Sequence, residues 1–462
     1  MIDELDLTEL QEAYAGTGSE AHRPDLLLKA VILELLEGRL SPAQWRRDFR
    51  DNLAMQWLGL GIQPSRTALY NFRDRVGHVL FRLHTQIVQR ADREGYLDGR
   101  HTVQDGTVFR GCASRHRLMN VGTLDRRLSA LRESVVLDQA GTTVPPSGQW
   151  MARTPKGRSE QLRRYQYARE ILEQRLARNA ARRADRRLPE KHIVISGSDP
   201  EAALGRDKEK VFCPCYTAQF VVDSSSQLIV AYDVAAQATD TGTLPGLLDR
   251  TRDVLGKYPD RHVVDAGYVS LLDLQESSRR GVELIGPLQE NDWTEKKRRQ
   301  NPPQFLGKEA FVWLPDEQTY VCPQGHRLKY YQRYHVRRRD DQTLLQMQYR
   351  CPPEHCRNCP IHLQCCRNPQ AGRTVKRFAD EELLDEHRRR MQTPEAQELR
   401  RLRGSLIERP FGDVKAHRNF RRLHGRGLHR ARAETGLVIL AINLLILKRL
   451  RCNKPNSKAD SS

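Results

Sequence analysis

His262–Ser270 reads HVVDAGYVS. His-Val-Val is a strand-forming run, Asp265 stands where it ends, and Gly267 two positions later marks a turn. A carboxylate buried alone is costly, whereas in α/β sheets ligands gather outside the carboxyl ends of strands. On either side of this stretch the pattern is regular. TLPGLLDRTRDVLGKY before it is an amphipathic helix; LLDLQESSRRG after it is a second helix, and VELIGP a short strand. Upstream, VFCPCYTAQFVVD and QLIVAYDVAA flank the turn SSS and read as a hairpin. Further up, HTVQDGTVF (His101–Phe109) is a strand with Asp105 in its middle and Gly106 behind it. Strand, hairpin, helix, strand, helix, strand predicts a mixed α/β sheet with long inserts.

The first insert follows the His101 strand, at about 120–192. Leu124, Leu128 and Leu131 recur at helical spacing; a Gly/Pro/Ser/Thr linker comes next, then a long basic helix with Leu162, Tyr165, Leu172 and Leu176 on one stripe. The two helices are expected to pack as an antiparallel hairpin. Residues 1–98 read as a helical domain. PDLLLKAVILELLEG ends at Gly38, Ser41-Pro-Ala-Gln44 is a capping box with proline behind the cap, and a second cap precedes SRTALYNFRDRV, where Ala68, Leu69, Phe72 and Val76 are near helical spacing. This region is either a helix-turn-helix or plain helical packing. Residues 99–288 form the first part of the sheet domain and 289–395 a cysteine-rich insert. Residues 396–451 return as helices, with Leu402, Leu406 and Phe411 facing inward, and 452–462 are a disordered tail.

Composition points to a polyanionic partner. The 462 residues carry 77 Lys+Arg against 58 Asp+Glu, a formal net charge of +19. The excess is clustered: Lys156–Lys191 holds 12 basic and 5 acidic residues, and Glu398–Arg451 holds 14 and 4. Clustering of this kind favours nucleic acid over a merely solubilising surface. The start, MIDELDLTEL, is acidic and unlike a secretory signal. The longest apolar run, Gly436–Leu450, is too short to span a bilayer and contains Asn443, so it reads as a buried helix.

Five of the ten cysteines crowd into Cys351–Cys366, which in a large chain suggests metal rather than disulfides. Cys356 and Cys359 form C-x2-C, with Cys322 and Cys365 as the other two ligands of a structural zinc site. Cys351, Cys366, His326, His355 and His362 compete for those places, and reduced thiols or an iron–sulfur cluster are the alternatives. Cys112, Cys213, Cys215 and Cys452 read as ordinary thiols.

Asp105 and Asp265 belong to one predicted sheet. Two neighbouring carboxylates raise each other's pKa unless a cation lies between them, and Mg²⁺ suits a hard oxygen set. Glu408, in a basic helix with Arg403, Arg409 and Lys415 near it, is the third candidate; the competing reading is a salt-bridge partner. Asp240 reads as the N-cap of the helix starting near Thr243, or as a support for the site, and Asp199 as a turn residue.

VQDGT, VVDAGYVS and IERPFGDVKAHRNFRRLHGRGL, with the trailing AINLL, resemble the three signatures of bacterial insertion-sequence DDE transposases, those of insertion-sequence family 1182 most of all. HRPDLLLKAVILELLEGRLSPAQWRRDFRDNLAMQWLGL resembles that family's helical N-terminal domain, SDPEA and YTAQFVVD its middle strands, and CPQG followed by CRNCP its cysteine segment. The resemblance implies an RNase H-like catalytic core in which Asp105, Asp265 and Glu408 bind Mg²⁺ or Mn²⁺. It also implies a partner DNA, both terminal inverted repeats and target, contacted by Arg403, Arg409, Lys415, Arg418, Arg421 and Arg422. It further implies a homodimer or larger assembly and a cytoplasmic, nucleoid-associated bacterial protein. Related transposases often carry an arginine four residues before the glutamate and a tyrosine before that; here residue 404 is glycine, 403 is arginine and 401 is arginine. A non-catalytic, zinc-containing DNA-binding descendant and an RNase H-like nuclease that cuts without joining are the other readings.

Overall fold

The computed structural model describes every residue except 15–21, 146–147, 183, 208, 289–304, 338–342 and 454–462. Helices α1 (Pro24–Leu36), α2 (Pro42–Asp51) and α3 (Arg66–Arg93) lead into strand β1 (His101–Arg110). Next come α4 (Val121–Gln139), α5 (Pro155–Ala180), β2 (Ala203–Arg206), β3 (Phe212–Asp223), β4 (Ile229–Ala235) and α6 (Leu244–Leu255). Then follow β5 (Arg261–Val263), α7 (Leu271–Arg279) and β6 (Glu283–Ile285). Strands β7 (Val312–Leu314), β8 (Thr319–Val321), β9 (Arg327–Arg337), β10 (Thr343–Arg350) and β11 (Thr374–Phe378) precede α8 (Glu381–Arg390), α9 (Pro394–Gly412) and α10 (Leu428–Cys452).

The chain divides into two compact units. One comprises Met1–Asp240, Gly246–Pro259 and Gly404–Ser462, the other Thr241–Pro245 and Asp260–Arg403. The expected insert from 289 and tail from 452 fall partly outside the described residues.

In the first unit β3 is the central strand, antiparallel to β1, β2 and β4. It is buried from Cys213 onward because both faces are covered. On one face Val221 and Val230 pack with Leu247 and Val254 of α6. Val88 of α3 joins the same cluster. Helix α10 is tied to β4 by Asn443: its Oδ1 accepts from Ile229 N at 3.0 Å and its Nδ2 donates to Ile229 O at 2.8 Å. The apolar run Gly436–Leu450 is thus a core helix, and its one polar interior group is fully bonded. No helix among the described residues is long and apolar enough to cross a membrane.

Local signals hold where expected. Ser41 and Gln44 form the capping box of α2, Ser65 caps α3, and Gly38 takes φ +72° just past α1. The predicted hairpin insert is present: Leu124, Leu128 and Leu131 of α4 bury against Tyr165, Ala168 and Leu172 of α5. Ion pairs Asp138–Arg158 and Asp125–Arg169 run in opposite chain directions, so the helices are antiparallel.

In the second unit β5 and β6 pair in parallel, and β7 to β11 form an antiparallel sheet in the order β11-β10-β9-β8-β7. Its core is aromatic and thiol-rich: Phe311, Tyr320, Leu328, Tyr349, Val375, Cys351, Cys356 and Cys365.

One helical face differs from expectation. Leu402 is 37% exposed, whereas Ile407 is buried at 2%. Ile407, Phe411 and Val414 form the buried stripe, at i, i+4 and i+7, and Leu402 is out of phase with it. Pro410 lies inside α9, and Asp413–His417 continues the chain as a π-helical turn. That wider turn breaks the 3.6-residue period between Glu408 and Lys415, seven residues apart.

Candidate active site and nucleic-acid interface

Asp105 sits mid-strand in β1, half-buried, and its Oδ1 accepts from Gly106 N at 2.7 Å. It pairs across the ladder with Phe220, so the two side chains share one face of the sheet. Phe220 stacks on Phe411 of α9 with ring centroids 5.0 Å apart. Phe109, on the same face of β1, meets Phe420 at 4.7 Å. The C-terminal end of α9 and the turn after it therefore lie against the face that carries Asp105. Glu408 precedes Phe411 by three residues, hence about one turn along the helix, and is exposed. Lys415 Nζ donates to Val108 O at 3.4 Å and stands 5.5 Å from the centre of the Phe109 ring.

Asp265, in the second unit, follows β5 and N-caps the one-turn helix Ala266–Tyr268, its Oδ1 accepting from Ala266 N at 2.8 Å. Its side chain is 58% exposed, and its Oδ2 lies 3.7 Å from Arg403 Nη2. The arginine displaced by one residue from the related transposases' position is thus paired with this carboxylate. At Gly404, beside it, a Cβ would meet Glu408 Oε1 at an ordinary 3.9 Å.

The remaining basic candidates divide. Arg409 is exposed and donates to Gln227 Oε1 at 2.6 Å. Arg421 donates to Lys415 O at 3.1 Å, and Arg422 forms an isolated bridge with Arg110; both are exposed. Arg418 is turned inward, 14% exposed, holding Asp413 at 3.3 Å and the Leu36 carbonyl at the end of α1. Its bonds are structural, a role that spacing gave no means of seeing.

Helix α6 begins at Leu244, and Asp240 Oδ1 accepts from the Gln219 side-chain amide. Gln219 pairs with Gly106 across the ladder, so Asp240 engages the face opposite Asp105. Asp199, between the bend at 197–198 and the turn at 200–201, is buried: it accepts from Tyr216 Oη at 2.8 Å and from Gly427 N at 3.1 Å, and burial raises its pKa.

Of the expected zinc set Cys322, Cys356, Cys359 and Cys365, Cys356 and Cys365 lie in one buried cluster with Cys351, and Cys322 packs against it. Among the described residues no group of three or more His, Cys, Asp or Glu side chains is placed to hold a metal ion. Cys356 is buried and hydrogen-bonded with Cys351 and Cys366, and Cys359 is half-exposed. Cys351 arrives there through the β10–β11 pairing, where its N–H donates to Arg373 O at 2.8 Å, a register that spacing does not reveal. Burial raises the thiol pKa of Cys351, Cys365 and Cys366.

Two family models match the chain. A Transposase DDE domain model matches residues 321–448, and a Transposase domain (DUF772) model matches residues 1–75. No curated protein matches. The first match takes in Glu408, the basic residues after it and the cysteine segment, and stops short of Asp105 and Asp265. Together the matches support an insertion-sequence DDE transposase, an enzyme that cleaves nucleic acid and has DNA as its partner.

Proposed function

We propose that this chain is a metal-dependent DNA transposase related to insertion-sequence family 1182, with an RNase H-like catalytic core in which Asp105, Asp265 and Glu408 are the catalytic carboxylates. The observation that carries the reading is the packing of α9 through Phe411 onto Phe220, the cross-strand partner of Asp105, in a helix matched by the transposase DDE model. The donor chemistry fits the implied metal: all three groups are carboxylates, the hard oxygen donors that Mg²⁺ or Mn²⁺ prefers. Such a cation, when bound, supplies activation of water and stabilisation of charge on the leaving oxygen.

The chain's own residues do the positioning. The Gly106 and Ala266 amides each fix one oxygen of Asp105 and Asp265, which orients the carboxylates before substrate arrives. Arg403 balances Asp265 in the protein without DNA. Arg409, Arg421 and Arg422, exposed around the end of α9, contact phosphates of the element's ends and of target DNA. Lys415 holds the turn after α9 to β1 and presents positive charge beside the scissile strand. Attack of water on a phosphodiester at the element's end forms one P–O bond and breaks another, freeing a 3′-OH. That hydroxyl then attacks a target phosphodiester in the same site. Joining two ends calls for at least two copies of the chain. Nothing in the family matches favours a non-catalytic descendant.

The test is cleavage of DNA carrying the gene's own flanks by purified protein with Mg²⁺, with Asp265→Asn alongside. Discrete cuts by the wild type alone are expected, with binding and melting temperature unchanged in the variant. Wild-type rates of cleavage by Asp265→Asn would remove Asp265 from the site, and failure to cut in both Mg²⁺ and Mn²⁺ would favour a binding protein.

A further inference from the structure

The basic segment Lys156–Lys191 lies outside the residues assigned to the carboxylate site, and it walls a groove of the first unit that is lined by Tyr167 and Phe212. That groove, about 830 Å³, lies between α5 on one side and β2 with the start of β3 on the other. The volume falls within the range of ligand sites. Two of its aromatic side chains are open to solvent, Tyr167 at 43% and Phe212 at 48%, with Leu188 at 49% beside them. Clustered exposed apolar surface in a concave place marks a binding site more often than an isolated exposed ring does.

Hydrogen bonds tie the walls of the groove to the frame. Tyr167 Oη donates to Glu201 Oε1 at 3.1 Å, and the other Glu201 oxygen accepts from Leu428 N at 2.5 Å. The phenol is therefore held by its hydroxyl and leaves a ring face for contact. Arg175 is committed to the frame, donating to Val194 O and Ala202 O, each at 2.9 Å.

Its charge is uncompensated where it is exposed. Arg178 and Arg182 line the groove four residues apart, and neither makes an ion pair among the described residues. Arg178 is in the last turn of α5 and Arg182 just past its end, and Arg178 also depresses the Arg175 pKa, after burial. Of the two lining carboxylates, Glu201 is already bonded, which leaves Glu170. Such a pair of cations awaits an anion, and aromatic faces beside cations suit a base with its phosphates. A duplex buries the faces of its bases in its own stack, so the occupant must be unpaired.

We propose that this groove binds an unpaired stretch of DNA, with bases stacked on Tyr167 and Phe212 and phosphates on Arg178 and Arg182; the choice of DNA over RNA rests on the transposase reading above. The experiment titrates the full chain against fluorescent oligo(dT) of about 12 nucleotides, which spans one stacking groove, and against blunt duplex and oligo(rU). Tyr167→Leu and Phe212→Leu keep apolar bulk and remove the rings. Each is expected to weaken oligo(dT) binding about tenfold, with duplex affinity and melting temperature unchanged. Arg178→Ala with Arg182→Ala is expected to lower the salt slope for oligo(dT) by about 1.4. Equal oligo(dT) affinity in wild type and both ring variants would overturn the groove, and tighter binding of oligo(rU) would overturn DNA as its occupant. Cleavage of flanking DNA, measured on the same preparations, separates the two readings. Cleavage with ring-independent binding sinks the groove alone, and ring-dependent binding without cleavage sinks the transposase reading alone.

Discussion

Asp105 and Asp265 are each held by the backbone amide that follows, a bond open to any aspartate before a turn or glycine. That local bond is why sequence could place both residues, and also why neither placement by itself distinguishes catalysis from capping. Glu34 illustrates the opposite case. It lies on the apolar stripe of α1, 0% exposed, with Arg39 at 3.1 Å, and nothing in its neighbourhood along the chain announces this. Burial, reinforced by the nearby Asp48 carboxylate and opposed by Arg39, pushes its pKa up to about 8. A carboxyl with a folded pKa above its ordinary 4.5 binds its proton more tightly when folded. Its contribution to stability is complete below about pH 4.5 and is lost as pH rises through about 8. Glu34→Gln should therefore flatten the decline in stability between pH 5 and 9, by roughly tenfold or more in the folded-to-unfolded ratio at the alkaline end. Denaturant unfolding of both proteins across that range checks it; parallel curves would mean that Glu34 is ionised in the fold.

At the scale of elements, α9 joins sequence to site. Its register is ambiguous in the sequence, because Leu402–Leu406 and Ile407–Phe411–Val414 are both helical stripes, and only contact with the sheet selects the second. Phe411, 7% exposed, is the point of attachment. Phe411→Ala should cost about 3–5 kcal/mol, the usual effect of emptying a buried phenylalanine site. It should also abolish cleavage at temperatures where the variant remains folded, because Glu408 rides on the same turn. Phe411→Leu should cost less, under about 2 kcal/mol, and recover part of the cleavage. Unfolding curves paired with cleavage assays decide this; an Ala variant that is destabilised yet fully active would detach α9 from the chemistry. The helical hairpin α4–α5 was legible in outline, since its leucines recur at regular spacing over many turns. The crowding of thiols was legible too, whereas the place of Cys351 among them depends on how β10 and β11 pair and not on distance along the chain.

Across the whole molecule, the net charge of +19 implies binding to DNA that weakens steeply with salt. Arg421 and Arg422, exposed and adjacent, should each neutralise one phosphate. Arg421→Ala with Arg422→Ala should reduce the log–log salt slope for duplex DNA by about 2, with little dependence on base sequence. An unchanged slope in a filter-binding or anisotropy titration would exclude both from phosphate contact. Sequence by itself determined what short-range physics controls: the Ser41–Gln44 and Ser65 caps, the stop at Gly38, the β3–β4 hairpin, the helix around Asn443, and aspartates in and after strands. These depend on bonds and periodicities that span a few residues, so their causes are visible in the string. Only the tertiary structure decided the inward turn of Arg418 to the Leu36 carbonyl, the bonding of Asn443 to Ile229, the partnership of Cys356 with Cys351 and Cys366, and the stacking of Phe411 on Phe220. Each of these contacts forms when packed surfaces meet, Asn443 and Ile229 being 214 residues apart, and the free energy that selects such partners is that of close packing and of satisfying buried polar groups.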